Sequence, residues 1–373
     1  MKQIMIAAAG TGGHVFPALA VAEQLRTQGW QVQWLGTTEQ RLEARVVPAA
    51  NFTLHQLSVQ GLRGHGLARK LLAPVRLLGA VWQSIKLLRA QQAQLVLTFG
   101  GYVSGPAGVA ARLLGIPLLV HEQNAVPGLT TRLLSRFAQQ VMLGFGSAKS
   151  YLPDAVVTGN PLRNSVLAAQ GKYHREHGST AQQSLRILVV GGSLGARALN
   201  EIVPVALQTL QLSHTLDIMH QCGKGNQDTV TAAYAAGQLN QVEVIEFIDN
   251  VEHAYAEADL VICRSGALTV AEIAAVGVPA LFVPLPHAVD DHQTANAQEL
   301  VQAGAAQIIP QAQLELCLVK ELQALLQQPE QLRTMAQAAQ QAAWVDATDN
   351  VVAQCERWIK NPATTESTKS KQS

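Results

Sequence analysis

Two stretches of this chain place a glycine cluster directly after a strand-length apolar run and directly before a helical pattern. The first is Gly10-Thr11-Gly12-Gly13-His14, after Ile4 to Ala9. The second is Gly191-Gly192-Ser193-Leu194-Gly195-Ala196-Arg197, after Leu185 to Val190. A strand–glycine loop–helix unit offers unpaired backbone N–H groups and the positive end of a helix dipole, a setting suited to a phosphate oxygen. Two such units constrain the chain to two Rossmann-like domains facing a central cleft that holds the phosphates of two ligands. That arrangement points to a transferase.

The rest of the chain keeps the same rhythm. Strand-like runs at Gln31–Leu35, Leu95–Thr98, Pro117–Val120 and Gln140–Leu143 alternate with helical patterns, the first from Pro17 to Gln28. The later half repeats it at Thr215–Gln221, Val242–Ile245, Leu260–Cys263 and Ala280–Val283. Short Gly/Pro punctuation between them reads as βαβ units in parallel sheets. The fold class is therefore α/β with two doubly wound domains, which 373 residues also favour over one core. The division falls near Gly159-Asn160-Pro161, giving 1–163 and 164–343. The polar stretch from Gln170 to Ser184 reads as a linker, 344–360 as a final amphipathic helix and 361–373 as a disordered tail.

Bulk properties exclude several classes. Net charge is +1 and only 14% of residues are charged, so no general nucleic-acid binder is implied. The four widely spaced cysteines form no metal-type pair and suit a reducing cytoplasm. No apolar stretch reaches the roughly 20 residues of a spanning helix, so membrane contact is expected to be peripheral. Neither glycine cluster completes Gly-x-Gly-x-x-Gly, and no Gly-Lys-Ser/Thr follows, which argues against a nicotinamide dehydrogenase and a P-loop enzyme.

Further clusters sit at strand ends, where open parallel sheets bind ligands. Phe99-Gly100-Gly101-Tyr102-Val103-Ser104-Gly105-Pro106 follows one strand and His121-Glu122-Gln123-Asn124 another. The polar side chains of the second must meet either a ligand or one another. Arg264-Ser265-Gly266 turns into a helix at Ala267, Leu268, Thr269, Val270 and Ala271, whose N–H groups suit a diphosphate. Glu272, one turn in, is placed to accept from two vicinal ribose hydroxyls. Gln293 and Asn296 suit sugar hydroxyls. Adjacent side chains at Asp291 and His292 diverge, so no metal site is expected. His14, near a helix N-terminus, is kept neutral by the dipole and reads as a base or as a core histidine. Lys70, Leu71, Val75, Arg76, Leu78 and Trp82 lie in a stretch with five basic residues and no acidic one, suited to an anionic lipid surface.

Gly10–Pro17, Phe99–Pro106, His121–Asn124, Gly159–Arg163, Gly191–Arg197 and Arg264–Glu272 together resemble glycosyltransferase family 28, in the family's order and over roughly residues 4 to 300. Leu194 stands where Gln is common and Ala271 where Ser is common. The resemblance implies a GT-B fold and an inverting transfer of GlcNAc from UDP-GlcNAc to the 4-hydroxyl of MurNAc in undecaprenyl-linked lipid I, yielding lipid II and UDP. It implies no required cofactor and a place on the cytoplasmic face of the bacterial inner membrane. Other cell-wall synthesis and division proteins become candidate partners. On this resemblance Thr11, Gly12 and Gly13 meet the lipid diphosphate and Asn124 lies near the acceptor sugars. Arg163 and Ser193 meet the nucleotide sugar, Ile248 the uracil and Glu272 the ribose, while Gln293 and Asn296 read GlcNAc. His14 leads Glu122 and Tyr102 as general base. The last helix is expected to cross back to the first domain. A hydrolysing UDP-sugar epimerase and a non-catalytic membrane binder remain the rivals.

Overall fold

Strand β1 (Gln3–Ala8) shows why continuous apolar runs mark this fold. Ile4, Ile6 and Ala8 pack into one core, and Met5, Ala7 and Ala9 into a second on the opposite face. A strand covered on both faces has no polar side, as parallel sheets require. The computed structural model describes residues 2–39, 41–59, 67–170, 185–192, 194–211, 215–237, 239, 241–286 and 291–360. The chain divides into two compact units: Met1–Arg163 together with the chain from Asp346 onward, and Asn164–Val345.

The first unit carries β1, β2 (Gln31–Thr37), β3 (Thr53–Leu57), β4 (Leu95–Gly100), β5 (Leu118–Glu122), β6 (Gln140–Leu143) and β7 (Val156–Val157). All are parallel, in the order β3-β2-β1-β4-β5-β6-β7. The second carries β8 (Leu185–Val190), β9 (Leu216–Gln221), β10 (Val242–Ile245), β11 (Leu260–Cys263), β12 (Ala280–Phe282) and β13 (Ala306–Ile308), parallel in the order β10-β9-β8-β11-β12-β13. Both are α/β Rossmann-like sheets in which strand order reverses beside the first strand, between β1 and β4 and between β8 and β11. Ligands of such sheets bind outside the carboxyl ends of the strands at that reversal.

Several boundaries differ from the sequence pattern. The first helix is Gly12–Thr27, starting five residues before Pro17, because Thr11 already has the extended backbone of an N-cap and the glycines continue into the helix. Strand β5 runs on to Glu122, so His121 and Glu122 are strand residues. The last helix is Ala347–Lys360: the carbonyl of Asp346 accepts its first bond from Asn350 N–H at 2.9 Å, leaving Trp344 outside. Its Val351, Val352 and Cys355 are buried with β1 and the first helix in one core of the first unit. The expected linker over 171–184 and tail over 361–373 lie outside the described residues.

Candidate active site

Four of the sequence clusters stand at the two reversal points. In the first unit, the glycine loop after β1 neighbours Gly100-Gly101 at the end of β4. No side chain caps the helix Gly12–Thr27, and no acidic residue occupies its first turn. Its N-terminus, with Thr11 exposed and Gly12 and Gly13 partly so, presents backbone donors that could meet an anion.

His14 lies in that first turn, half-buried, with Nδ1 3.3 Å from the Ala9 carbonyl. A carbonyl only accepts, so Nδ1 carries the proton and Nε2 holds the lone pair. Burial pushes the imidazole below its ordinary range, while the Glu122 carboxylate, the bond to Ala9 and the Glu43 carboxylate pull the other way. The ring lies over Gly100, where a Cβ would come within 2.8 Å of Cδ2.

The other two candidate bases are placed differently. Glu122 is buried; its Oε1 accepts from Asn124 N (3.1 Å) and Nδ2 (3.2 Å), and its Oε2 from Gly128 N at 3.0 Å. Its lone pairs organise the loop that carries Asn124. Tyr102 is exposed, with the Arg41 guanidinium 5.5 Å from its ring centre. His121 and Gln123 satisfy each other: His121 Nε2 donates to Gly159 O at 3.0 Å and Nδ1 accepts from Gln123 Nε2 at 3.0 Å. Burial holds His121 down to about 4, against a smaller opposing effect of the Gly159 bond. Of the two partners the sequence allowed this polar cluster, the described bonds supply one another. Arg163 stacks on Phe16 of the first helix at 5.1 Å.

In the second unit, Gln221 at the end of β9 grips the glycine loop from below. Its Oε1 accepts from Gly192 N at 2.8 Å, and its Nε2 donates to the carbonyls of Gly192 (3.0 Å) and Glu246 (2.6 Å). Ser193 lies outside the described residues, and Leu194 is 90% exposed at the loop tip. After β11, Gly266 caps the helix Ala267–Val276, again with no side-chain cap and no acid in the first turn. Ala267 and Val270 are buried there, while Leu268, Thr269 and Ala271 are partly exposed. Glu272 is buried one turn in. Gln293 Oε1 accepts from Leu285 N at 2.9 Å, orienting its amide. Asn296 is wholly buried and donates to Ser265 O at 3.2 Å, in the turn that opens the helix Ala267–Val276. Ile248 is half-buried just beyond β10. Among the described residues, no three His, Cys, Asp or Glu side chains converge to hold a metal.

Comparison with known proteins gives this geometry its family. Residues 4–143 match the glycosyltransferase family 28 N-terminal domain and residues 186–351 the family's C-terminal domain. The chain belongs to glycosyltransferase family 28. A relative from Idiomarina loihiensis, named UDP-N-acetylglucosamine--N-acetylmuramyl-(pentapeptide) pyrophosphoryl-undecaprenol N-acetylglucosamine transferase, is 53% identical over 95% of this chain and 98% of its own. A Tolumonas auensis protein of the same name is 49% identical over 96% and 99%. The crystal structure of Acinetobacter baumannii MurG superposes with a TM-score of 0.81 at 45% identity, covering 96% of this chain and all of that one. The Neisseria meningitidis UDP-GlcNAc 2-epimerase (TM-score 0.69, 14% identity, 96% of this chain and all of that one) shares the fold.

Two residues that shape the glycine loops have no counterpart among the sequence clusters: Glu43 accepts from Gly10 and Gln221 from Gly192, while Arg264, the first residue of the cluster Arg264–Glu272, donates to the carbonyls of Val283 (2.8 Å) and Pro284 (3.1 Å). Single polar residues in helix or strand patterns give no spacing signal, so only the fold exposes such roles.

The basic-apolar stretch forms the helix Leu67–Ala90. Val75, Leu78 and Trp82, at i, i+3 and i+7, are exposed on it with Arg76, and Lys86 lies over the Trp82 ring at 5.2 Å. Ala80, Val81, Ser84 and Leu88 are buried. The side chains of Lys70 and Leu71 lie outside the described residues. No helix among the described residues is long and apolar enough to cross a membrane.

Proposed function

We propose that this chain transfers N-acetylglucosamine from UDP-N-acetylglucosamine to the 4-hydroxyl of the N-acetylmuramyl sugar of an undecaprenyl-diphosphate-linked pentapeptide. The observation that carries the reading is near-complete coverage by relatives of that name, about half identical, on a chain with two uncapped helix N-termini at its two sheet reversals. In this reading Thr11, Gly12 and Gly13 receive the acceptor diphosphate, and Asn124, held by Glu122, faces the acceptor sugars. His14 Nε2 takes the proton of the acceptor hydroxyl. The oxygen attacks the anomeric carbon from the face opposite UDP, the carbon–oxygen bond to the diphosphate breaks, and UDP leaves with the electron pair. Inversion follows from the single displacement.

The leaving diphosphate meets the first-turn backbone N–H groups of Ala267, Leu268 and Thr269 together with Ser193, which stabilise developing charge without reorganising, whereas the N–H groups of Gly191 and Gly192 are taken by Gln221 and that of Val270 by Gly266. Glu272 takes the ribose hydroxyls, Ile248 the uracil, Arg163 the nucleotide sugar and Gln293 the transferred sugar. No cofactor enters the reading. The exposed face around Trp82 rests on an anionic inner-membrane surface on the cytoplasmic side, where a lipid-linked acceptor would be presented during cell-wall synthesis. Other cell-wall and division proteins are candidate partners there.

The test is UDP release by the purified protein with UDP-GlcNAc, with and without a lipid-linked MurNAc-pentapeptide analogue. Release only with acceptor is expected. Acceptor-independent release would replace the reading with the epimerase chemistry, and no turnover would leave a binding protein.

A further inference from the structure

One peptide group in the first unit has an ionisable side chain at each end. Gly10 N–H donates to Glu43 Oε2 at 3.0 Å, and the carbonyl of that same peptide group, Ala9 O, lies 3.3 Å from His14 Nδ1. Glu43 belongs to the helix Leu42–Ala49, which follows β2, and is completely buried. Its other oxygen accepts from Thr37 Oγ1 at 2.7 Å and Thr37 N at 3.3 Å. The surroundings are cut to fit this arrangement. A Cβ at Gly36 in β2 would lie 3.0 Å from Glu43 Cγ, and one at Gly101 would lie 2.4 Å from Ala9 O. A buried carboxylate is costly unless hydrogen-bonded, and here its described partners are all neutral N–H and O–H donors.

We propose that Glu43 is a positioning residue for His14, acting through the Ala9–Gly10 peptide group. The inference rests on His14 being the base of the proposed transfer. The carboxylate polarises the peptide N–H, which makes the Ala9 carbonyl a stronger acceptor, because hydrogen bonds in a chain reinforce one another in a low dielectric. That carbonyl then holds the Nδ1 proton, fixing the tautomer whose Nε2 is bare and fixing the plane of the ring. When Nε2 takes the acceptor proton, the imidazolium is stabilised along the same chain. No proton crosses the peptide group. The logic is that of a triad carboxylate, with a peptide group inserted between acid and imidazole.

Three charged or polar neighbours bear on the same ring. Glu122 at the end of β5 acts on it by charge, Ala9 O by its bond, and Glu43 by charge as well. The Arg41 guanidinium lies near Gly10, its Nη1 3.8 Å from where a Cβ would be, and sits over the Tyr102 ring. Of the two carboxylates, Glu43 acts on His14 through a described hydrogen-bonded path as well as through space.

Glu43→Gln keeps the side chain's shape and the bond from Thr37 while removing the charge, and an amide NH2 turned to Gly10 N–H cannot accept from it. The expected result is a kcat lower by about 10- to 100-fold with KM for both substrates within about twofold, the range seen when the partner that orients a functional histidine is lost. The acid limb of kcat/KM should move about half to one pH unit lower, since loss of a nearby negative charge makes the imidazole less basic. In the full-length protein with 15N-labelled histidine, the His14 signal, assigned by its loss in His14→Ala, should report Nδ1–H in the wild type and a larger Nε2–H fraction in Glu43→Gln. A fall in kcat with acid limb and tautomer unchanged would reduce Glu43 to a structural strut and overturn the proposal. So would an Nε2–H tautomer in the wild type, a measurement that needs no variant to fold. If His14→Ala keeps near-normal turnover, the base reading itself fails and the relay with it, whatever Glu43→Gln does.

Discussion

The two glycine loops solve the same backbone problem with different chemistry. The loop after β1 is held by a carboxylate, Glu43, and carries a titratable side chain, His14, in the helix that leaves it. The loop after β8 is held by an amide: Gln221 takes both the N–H and the carbonyl of Gly192. No histidine or carboxylate stands in the first turn of the helix Ala267–Val276, which opens the neighbouring loop. In the proposed transfer, the side that removes a proton needs a group that changes charge, and the side that releases an already stable diphosphate needs only fixed dipoles, which do not titrate.

Breaking the first side should cost most. His14→Ala is expected to lower kcat by about 10²–10⁴-fold, the usual contribution of a positioned acid–base group, with donor KM little changed. Near-normal turnover in a steady-state assay with a soluble acceptor analogue would erase the contrast between the loops. On the second side, Glu272→Ala should raise donor KM by about 10- to 100-fold, as expected for losing hydrogen bonds to a charged acceptor, while kcat falls less. An unchanged donor KM would remove the ribose from Glu272.

What the sequence made legible divides along the same physical line. Central strands such as Ile4–Ala8 and Leu260–Cys263 are buried on both faces and announce themselves as apolar runs. Three sheet-edge strands, β3, β7 and β13, did not: Thr53–Leu57 carries three polar side chains and is buried only at Leu57, and Val156–Val157 and Ala306–Ile308 are too short to form a run. Glycine clusters mark where a ligand can approach backbone, so His14, Tyr102 and Glu272 stand out beside them, and Gln293 stands out as a polar side chain beyond a strand end. Their supports do not. Glu43 sits in the first turn of an unremarkable helix, and Gln221 closes an ordinary strand pattern. Their roles exist only once β2 is laid beside β1 and β9 beside β8.

Among the described residues, each unit buries one histidine that its surroundings hold neutral, which lets the comparison extend to stability. His121 in the first unit and His220 in the second are both pushed down to about 4 by burial. His220 bridges Tyr234 Oη at 2.9 Å and Asn200 Oδ1 at 3.1 Å. An unfolded imidazole titrates near 6.5. The unfolded chain therefore binds more protons between about pH 6.5 and 4, and stability present above that window is lost as pH falls through it, on the order of 3 kcal/mol per histidine. Urea midpoints measured from pH 7.5 to 4.5 should decline in the wild type. His220→Gln should flatten the decline of the second unit alone. A flat wild-type profile would contradict the neutral, buried state of both rings.

The smallest effect on catalysis should come from the helix Leu67–Ala90, whose two faces differ as sharply as the two loops. Ala80, Val81, Ser84 and Leu88 are fixed in the first unit, whereas Val75, Leu78 and Trp82 turn outward beside Arg76 and Lys86. Exposed apolar side chains among basic ones gain from both partitioning and anionic headgroups, and each basic residue near such a surface contributes about 1 kcal/mol. Replacing Lys70 and Arg76 by Gln and Trp82 by Ala should therefore weaken sedimentation with phosphatidylglycerol-containing vesicles by about tenfold or more, increasingly so at low salt. Turnover on a soluble acceptor should stay within about twofold, because none of the three side chains belongs to either loop. If that variant kept vesicle affinity, the outward face would have no membrane role. If it instead lost activity on the soluble acceptor, the helix would be acting on the first loop rather than on a surface.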